Sequence, residues 1–166
     1  MRPAGVVSRQ LLTDNAPMDT NWTMRTVLEG DADTIARHNQ YREVDAGKRP
    51  GYAAWVEPRI RQGAYVGRLA VVAGTVVAGA GAVLLDWGPT RANPCGQMAR
   101  VVNVFTAEGW RRRGIARALL EAVLKDCEVR GIREFNLAAS PDGQSLYAAL
   151  GFKPYPAEMR RRVEAT

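Results

Sequence analysis

Residues 103–116 read NVFTAEGWRRRGIA, an apolar run that passes through a turn rich in arginine and glycine into an amphipathic segment. The run belongs to Met98–Thr106, whose β-branched residues predict a strand. After the turn, apolar residues recur four apart from Ile115 to Cys127, which indicates a helix with one buried face, and Gly131 provides its stop. The pattern therefore predicts a strand, a tight turn over Ala107–Arg113 and a long helix in succession.

Simple alternation along this strand assigns its side chains to two faces of a sheet. One face receives Val102, Val104 and Thr106, and the other receives Val101, Asn103 and Phe105.

The turn has the composition of an anion site. The first turn of a helix leaves N–H groups without intrahelical partners at the positive end of the helix dipole, where a phosphate or pyrophosphate is stabilised. Gly114 has no Cβ, so ligand oxygens can approach its backbone, and Ala116 keeps the next position small. The three arginines of residues 111–113 add charge-assisted hydrogen bonds. A solvated basic turn without a ligand is the alternative that these residues alone leave open.

Two motifs in order resemble the GNAT (GCN5-related N-acetyltransferase) superfamily. Residues 111–116, RRRGIA, resemble its [QR]-x-x-G-x-[GA] element, and residues 145–152, SLYAALGF, resemble its L-Y-x-x-L-G-F signature. The resemblance covers about residues 22–163. It implies an enzyme that uses acetyl-CoA as co-substrate and needs no metal.

The resemblance also implies how the cofactor is held. The strand backbone would pair with the pantetheine arm at Val104, Phe105 and Thr106, and a backbone N–H near Val104 would polarise the acetyl carbonyl. The pyrophosphate would lie on the turn formed by Arg111, Arg112, Arg113, Gly114, Ile115 and Ala116.

Tyr147 matches the family tyrosine that lies near the CoA sulfur and often acts as general acid. A phenol with a pKa of about 10 can protonate a departing thiolate whose conjugate acid has a pKa of about 8.5. Packing against the cofactor without proton transfer is the alternative role. Seven residues earlier the family often has asparagine, where this chain has Ser140, whose hydroxyl would contact the pantetheine.

The general base and the acceptor site are less specified. Glu43 is the predicted base, because it lies in the region that forms the acceptor wall in the resembled family. The other candidates are Asp45, His38, Asp86 and Glu108. The walls of the acceptor site are predicted from the aromatic residues of the first two helices and of the loop 87–97, namely Trp55, Trp87, Tyr41 and Tyr52.

The periodicities predict the order β-α-α-β-β-β-α-β-α-β, with a possible last strand. We expect a single α/β (α+β) domain over residues 22–166: a mixed, largely antiparallel sheet of six to seven strands flanked by about four helices, as in the GNAT fold. Residues 1–21 are predicted to be a flexible leader. The strands after the first four are predicted at Glu134–Ala139, Phe152–Tyr155 and Met159–Val163.

Composition restricts the class of protein. Hydrophobic residues make up 46% and charged residues 24% of the chain, which suits a folded domain, and the longest apolar run, Val76–Leu85, is too short to span a bilayer. The two cysteines, Cys95 and Cys127, fit a reducing compartment. With no apolar signal segment at the start, a cytoplasmic location is predicted.

The formal net charge of +6 is compatible with a nucleic acid, an anionic small ligand or no partner. Because the arginines cluster at a predicted helix start, we expect phosphates of a small molecule, with no nucleic-acid or membrane partner. The predicted function is transfer of an acetyl group from acetyl-CoA to a primary amine of a small molecule or peptide, by direct attack in a ternary complex. A non-catalytic CoA-binding sensor of the same fold is the alternative, and a homodimer is a family-level expectation.

Overall fold

The computed structural model describes residues 21–164 of the chain. Residues 1–20 of the predicted leader therefore lie outside the described residues. The described part forms one five-stranded sheet in the order β1-β2-β3-β4-β5. Its strands are β1 Thr23–Thr26, β2 Tyr65–Val72, β3 Thr75–Asp86, β4 Gln97–Thr106 and β5 Phe135–Asn136.

Consecutive strands pair antiparallel, except that β4 and β5 run parallel. The connection between β2 and β3 is a two-residue hairpin, in which Ala73 and Gly74 both have positive φ, 47° and 81°. Such turns match the right-handed twist of the paired strands. The parallel pair needs a crossover, and the long helix after β4 supplies it.

Four α-helices cover the two faces of the sheet: α1 Ala32–Asn39, α2 Arg49–Arg61, α3 Ile115–Val129 and α4 Gln144–Ala149. On one face, α3 buries Ile115, Leu119, Leu120, Val123 and Cys127 in the larger core. On the other face, α1 and α2 form a second core with Ile35, Val56 and Leu69. We call these the α3 face and the α1/α2 face. Pro58 lies inside α2 without ending it.

The predicted number of six to seven strands is wrong for the described residues, which form five. Phe152–Tyr155 and Met159–Val163 form no strand there. Pro154 and Pro156 remove two backbone donors from this segment, and Tyr155 is 72% and Met159 98% exposed, so no apolar face is buried to fix a register. Within the predicted strand Glu134–Ala139, only Phe135 and Asn136 pair with β4, opposite Ala99 and Arg100.

A β-bulge in β4 positions the site. Gly79 pairs with Phe105 and Gly81 pairs with Val102, so two steps along β3 correspond to three steps along β4. Asn103 occupies the bulge with φ of 58°, a left-handed conformation that asparagine tolerates better than most residues.

The bulge corrects the predicted assignment of the β4 side chains to faces. Val101 and Val104 pack into the core of the α3 face, whereas Val102 packs into that of the α1/α2 face. Val102 and Val104 were expected to share a face because simple alternation has no extra residue. One inserted residue reverses the alternation after it.

Glycine at position 81 makes room for a buried tyrosine on the α1/α2 face. A Cβ at Gly81 would overlap the Tyr65 hydroxyl, and Tyr65 is only 3% exposed, so the ring has nowhere to move. We expect Gly81→Ala to lower the free energy of unfolding by about 2 kcal/mol, as overpacking does. Urea unfolding measures this change in free energy. Gly51→Ala is the matched control: it lies inside α2 in open space and should stabilise by about 0.5–1 kcal/mol. An equal change in the free energy of unfolding for Gly81→Ala and Gly51→Ala would contradict the close packing of Tyr65 on Gly81.

Within residues 21–164, no helix combines the length and the apolar character that a membrane span requires.

Candidate active site

The edge of β4 that faces β5 is open over most of its length. The two strands pair only at Ala99 and Arg100, whereas β4 continues to Thr106. On its other edge β4 stays paired with β3 up to the pair Ala78 and Thr106. The far half of β4 therefore presents backbone hydrogen-bonding groups that an extended ligand can use as if it were a neighbouring strand.

The turn after β4 is fixed by two left-handed residues. Arg112 has φ of 63° and Gly114 has φ of 76°, and Gly114 is the residue that precedes α3. At the start of the turn the N–H of Ala107 donates to the carbonyl of Val77 at 2.8 Å, which ties the turn to β3. A Cβ at Gly114 would meet nothing within 4 Å. The glycine is thus required by the backbone conformation, and the space in front of it is open.

The turn places the start of α3 where its first N–H groups could hold an anion. The helical hydrogen-bond ladder begins where the N–H of Ala118 donates to the carbonyl of Gly114 at 3.1 Å, so the N–H groups of Ile115, Ala116 and Arg117 precede it. Ile115 is 1% exposed and anchors the first turn in the core. Positive charge of the helix dipole therefore lies at a rigid position.

Two of the three arginines contact the turn itself. Arg111 Nε donates to the carbonyl of Thr106 at 3.1 Å, and the Arg113 guanidinium stacks over the Trp110 ring at 4.6 Å. Together with Arg112 they concentrate positive charge around the helix start, which favours a ligand with several negative charges.

Tyr147 and Ser140 lie close together around Gly143. A Cβ at Gly143 would be 2.8 Å from Tyr147 Cε2 and 3.4 Å from Ser140 Oγ. The Tyr147 ring is half-buried and meets Phe152 edge-on, with ring centroids 6.1 Å apart. Burial raises the pKa of Tyr147 above its usual 10.0, so the phenol stays protonated at neutral pH. It is available as a proton donor.

A partly buried polar network lies on the α1/α2 face, centred on Asn103. Asn39 Nδ2 donates to Asn103 Oδ1 at 2.8 Å. Asn103 Nδ2 donates to the hydroxyls of Tyr52 and Tyr65 at 2.9 and 3.0 Å, and the Tyr52 hydroxyl is also 3.1 Å from Asn103 Oδ1. Burial raises the pKa of both tyrosines, so the network is uncharged.

His38 packs beside this network. Its ring stacks on Phe105 with centroids 4.6 Å apart, and a Cβ at Gly79 would lie 2.7 Å from His38 Nδ1. The side chain is buried, and burial lowers its pKa from 6.5 to about 4. His38 is therefore neutral at pH 7 and a weak base, which weighs against it as the group that deprotonates an amine.

Lowering the pH should destabilise the protein, because His38 is buried in its neutral form. Its folded pKa of about 4 lies below the usual 6.5, so its contribution to stability is complete above pH 6.5 and is lost as the pH falls toward 4. We expect the free energy of unfolding to fall by about 2 kcal/mol from this group between pH 7 and pH 4.5. Urea unfolding of the wild type and of His38→Gln at both pH values measures it. Identical pH dependence in the two proteins would contradict the buried, neutral imidazole.

The carboxylates that were predicted as general bases lie at the surface, and Glu43 and Asp45 form ion pairs there with basic side chains. Glu43 is 85% exposed and its Oε1 is 2.9 Å from Arg49 Nη2. Asp45 forms an ion pair with Lys48 at 2.6 Å, whose hydrogen bond lowers the pKa of the carboxyl. Glu43 as the base stays a prediction, as do Asp86 and Glu108.

The aromatic residues predicted as acceptor walls differ in exposure. The ring centroids of Tyr52 and Trp55 are 5.3 Å apart, and the Arg59 guanidinium covers the Trp55 ring at 4.1 Å. Tyr41 and Trp87 are each 63% exposed. Of the four, Tyr52 is the one that the structure connects to β4.

Sequence reasoning missed the polar network around Asn103, with Asn39 and Tyr65 among its members. Asn103 is the one polar residue of the run 101–105, VVNVF, and Gly79 and Gly81 interrupt the strand beside it. A polar residue in a buried strand needs partners, and a glycine in a strand often marks a close approach. These two signals together could have indicated the network.

Among the described residues, no group of three or more His, Cys, Asp or Glu side chains is arranged to hold a metal ion.

The fold and the site define a class of protein: an α/β domain whose sheet opens between two parallel strands, beside a helix start that is surrounded by arginines. Residues 90–163 match the family model described as acetyltransferase (GNAT) domain. This part of the chain, which includes the turn before α3 and Tyr147, therefore belongs to the GNAT superfamily. A search of curated proteins found no match.

Solved structures share the fold. A GCN5-related N-acetyltransferase from Ralstonia eutropha JMP134 is 26% identical, with a TM-score of 0.78 over 86% of this chain and 99% of that chain. A protein described as a predicted acetyltransferase, from Clostridium acetobutylicum and with acetyl-CoA, is 20% identical, with a TM-score of 0.79 over 86% and 96% of the two chains. An aminoglycoside N-acetyltransferase in complex with CoA is 18% identical, with a TM-score of 0.69 over 87% and 96%.

Proposed function

We propose that this protein is an N-acetyltransferase that moves an acetyl group from acetyl-CoA to a primary amine in a ternary complex. One observation carries the proposal: the open edge of β4 leads directly into an arginine-rich turn at the start of α3. A ligand with an extended amide arm followed by phosphates fits that sequence of features, and acetyl-CoA has this form. Two proteins of the same fold were crystallised with acetyl-CoA or CoA, which supports the cofactor.

The donor half of the reaction follows from these features. The pantetheine amides would pair with the backbone of Val104, Phe105 and Thr106 along the open edge. The pyrophosphate would accept hydrogen bonds from the N–H groups of residues 112–116. Ser140 and Tyr147 would border the far end of the arm, where the thioester lies.

The chemical step is attack of the neutral amine on the thioester carbonyl. A C–N bond forms, negative charge develops on the carbonyl oxygen, and a backbone N–H near Val104 stabilises it. The C–S bond then breaks, and Tyr147 protonates the departing thiolate. The ammonium form of the amine loses one proton before attack, either to Glu43 or through water to solvent. The nitrogen loses a second proton to water as the C–S bond breaks, and Tyr147 regains from solvent the proton that it gave to the thiolate.

Release of free CoA thiol tests the proposal. Acetyl-CoA is mixed in turn with simple amines, amino acids, aminoglycosides and peptides with free N-termini, and the thiol is followed with a chromogenic disulfide. We expect amine-dependent release with at least one class, and mass spectrometry should find the acetylated amine. Acetyl-CoA binding without release for any amine would favour the non-catalytic sensor instead.

A further inference from the structure

The Asn103 network has no role in the donor half of the reaction. Both polar atoms of the Asn103 side chain form hydrogen bonds, since Oδ1 accepts from Asn39 and Nδ2 donates to Tyr52 and Tyr65. The residue at its centre is held in a left-handed conformation, with φ of 58°, at the bulge of β4. A structural bulge needs only a residue that tolerates this φ, and glycine would meet that need. The bulge therefore does not require a side-chain amide that binds two tyrosine hydroxyls.

The Asn103 network lies on the α1/α2 face of the sheet, whereas the arginine-rich turn leads into α3 on the opposite face. Asn103 precedes Val104, the residue proposed to face the thioester, and its side chain contacts α1 and α2. The anion site lies at the start of α3, which covers the other face. Because the phosphates would lie on the α3 face, the acceptor amine would reach the opening between β4 and β5 from the α1/α2 face.

The two tyrosines that contact the amide differ in exposure. Tyr65 is 3% exposed, so its hydroxyl is enclosed by protein. Tyr52 is half-buried, and its ring contacts Trp55, which is 37% exposed. Because its phenol stays neutral, Tyr52 can accept a hydrogen bond from an N–H group while its own hydrogen bonds to Asn103 hold it in place.

From this we infer that Asn103 is a positioning residue for the acceptor and that the Tyr52 hydroxyl it orients contacts the acceptor amine. The inference rests on the proposed acetyltransferase function. The hydroxyl accepts an N–H of the neutral amine and so directs the nitrogen lone pair toward the thioester carbonyl next to Val104. An uncharged hydrogen-bond acceptor suits this place, since it holds the neutral, reactive form of the amine without favouring the ammonium ion.

Steady-state kinetics of Tyr52→Phe tests the inference, with the amine that releases most thiol in the panel as the probe. We expect KM for this amine to rise about tenfold, the loss that one hydrogen bond represents. The Kd for acetyl-CoA, measured by calorimetry without the amine, should stay within about twofold. Asn103→Gly tolerates the same φ and removes only the amide, and it should raise the amine KM similarly. The double variant should show no further rise, because both changes remove one contact.

Tyr65→Phe is the matched control, since it removes the other hydroxyl from the same amide. It should lower the melting temperature but leave the amine KM within about twofold. An unchanged amine KM in Tyr52→Phe, or an equal rise in Tyr65→Phe, overturns the inference while leaving the proposed function intact. A wild-type protein that binds acetyl-CoA and acetylates no amine defeats the proposed function itself, before any variant is compared.

Discussion

Replacing Gly114 by glutamate should weaken acetyl-CoA binding several hundredfold. The backbone there has φ of 76°, so a side chain adds strain of about 1–2 kcal/mol to the turn. The larger effect is electrostatic, because a carboxylate about 4 Å from a phosphate costs about 4 kcal/mol at a partly exposed site. Isothermal calorimetry with acetyl-CoA measures the change, and circular dichroism checks that the variant is folded.

Two variants separate the causes of that loss. Gly114→Asn tolerates the left-handed conformation and carries no charge, so a smaller loss of about tenfold is expected from bulk alone. In the same turn, a Cβ at Gly109 would meet nothing within 4 Å, so Gly109→Ala should bind like the wild type. A Kd for Gly114→Glu within threefold of the wild-type value would show that the phosphates do not lie at this turn.

Tyr147→Phe should lower kcat about a hundredfold and change the Kd for acetyl-CoA by less than threefold. Loss of a positioned general acid has an effect of this size, whereas the phenyl ring keeps the packing with Phe152. Since burial raises the pKa of Tyr147 above 10.0, no alkaline loss of kcat from this group is expected below that pH. Single-turnover kinetics with saturating acetyl-CoA isolates the chemical step.

Tyr155→Phe provides the control, because Tyr155 is 72% exposed in the segment after α4 and should tolerate loss of its hydroxyl. Unchanged turnover in Tyr147→Phe would remove the general-acid role. A parallel fall in both variants would indicate an effect unrelated to proton transfer at the thioester.

The strand, turn and helix around residues 103–116 could be predicted from the sequence because each is specified locally. The spacing of Ile115, Leu119 and Val123 defines one helical face, and Gly114 supplies the φ that the turn requires. These local patterns, read with the motif around Tyr147, were sufficient to indicate the superfamily that residues 90–163 match.

The acceptor side depends on contacts that no local pattern encodes. The bulge at Asn103 arises from the register between β3 and β4, and the residues it brings together, Asn39, Tyr52 and Tyr65, are far apart in the chain. Alternation alone therefore separated Val101 from Val102 correctly but wrongly placed Val104 on the same face as Val102. The predicted final strands were wrong for a related reason, since periodicity reports which residues suit a strand and not whether a partner strand is available.

Hydrogen–deuterium exchange with and without acetyl-CoA tests most directly where the cofactor lies. We expect slower exchange in peptides that cover residues 104–106 and 112–117, since the pantetheine would hydrogen-bond to the N–H groups on the open edge of β4 and the pyrophosphate to those at the start of α3. Exchange in the basic segment 153–163 should not change. Protection confined to that segment, or no protection on either side of Gly114 at saturating acetyl-CoA, would contradict the proposed site.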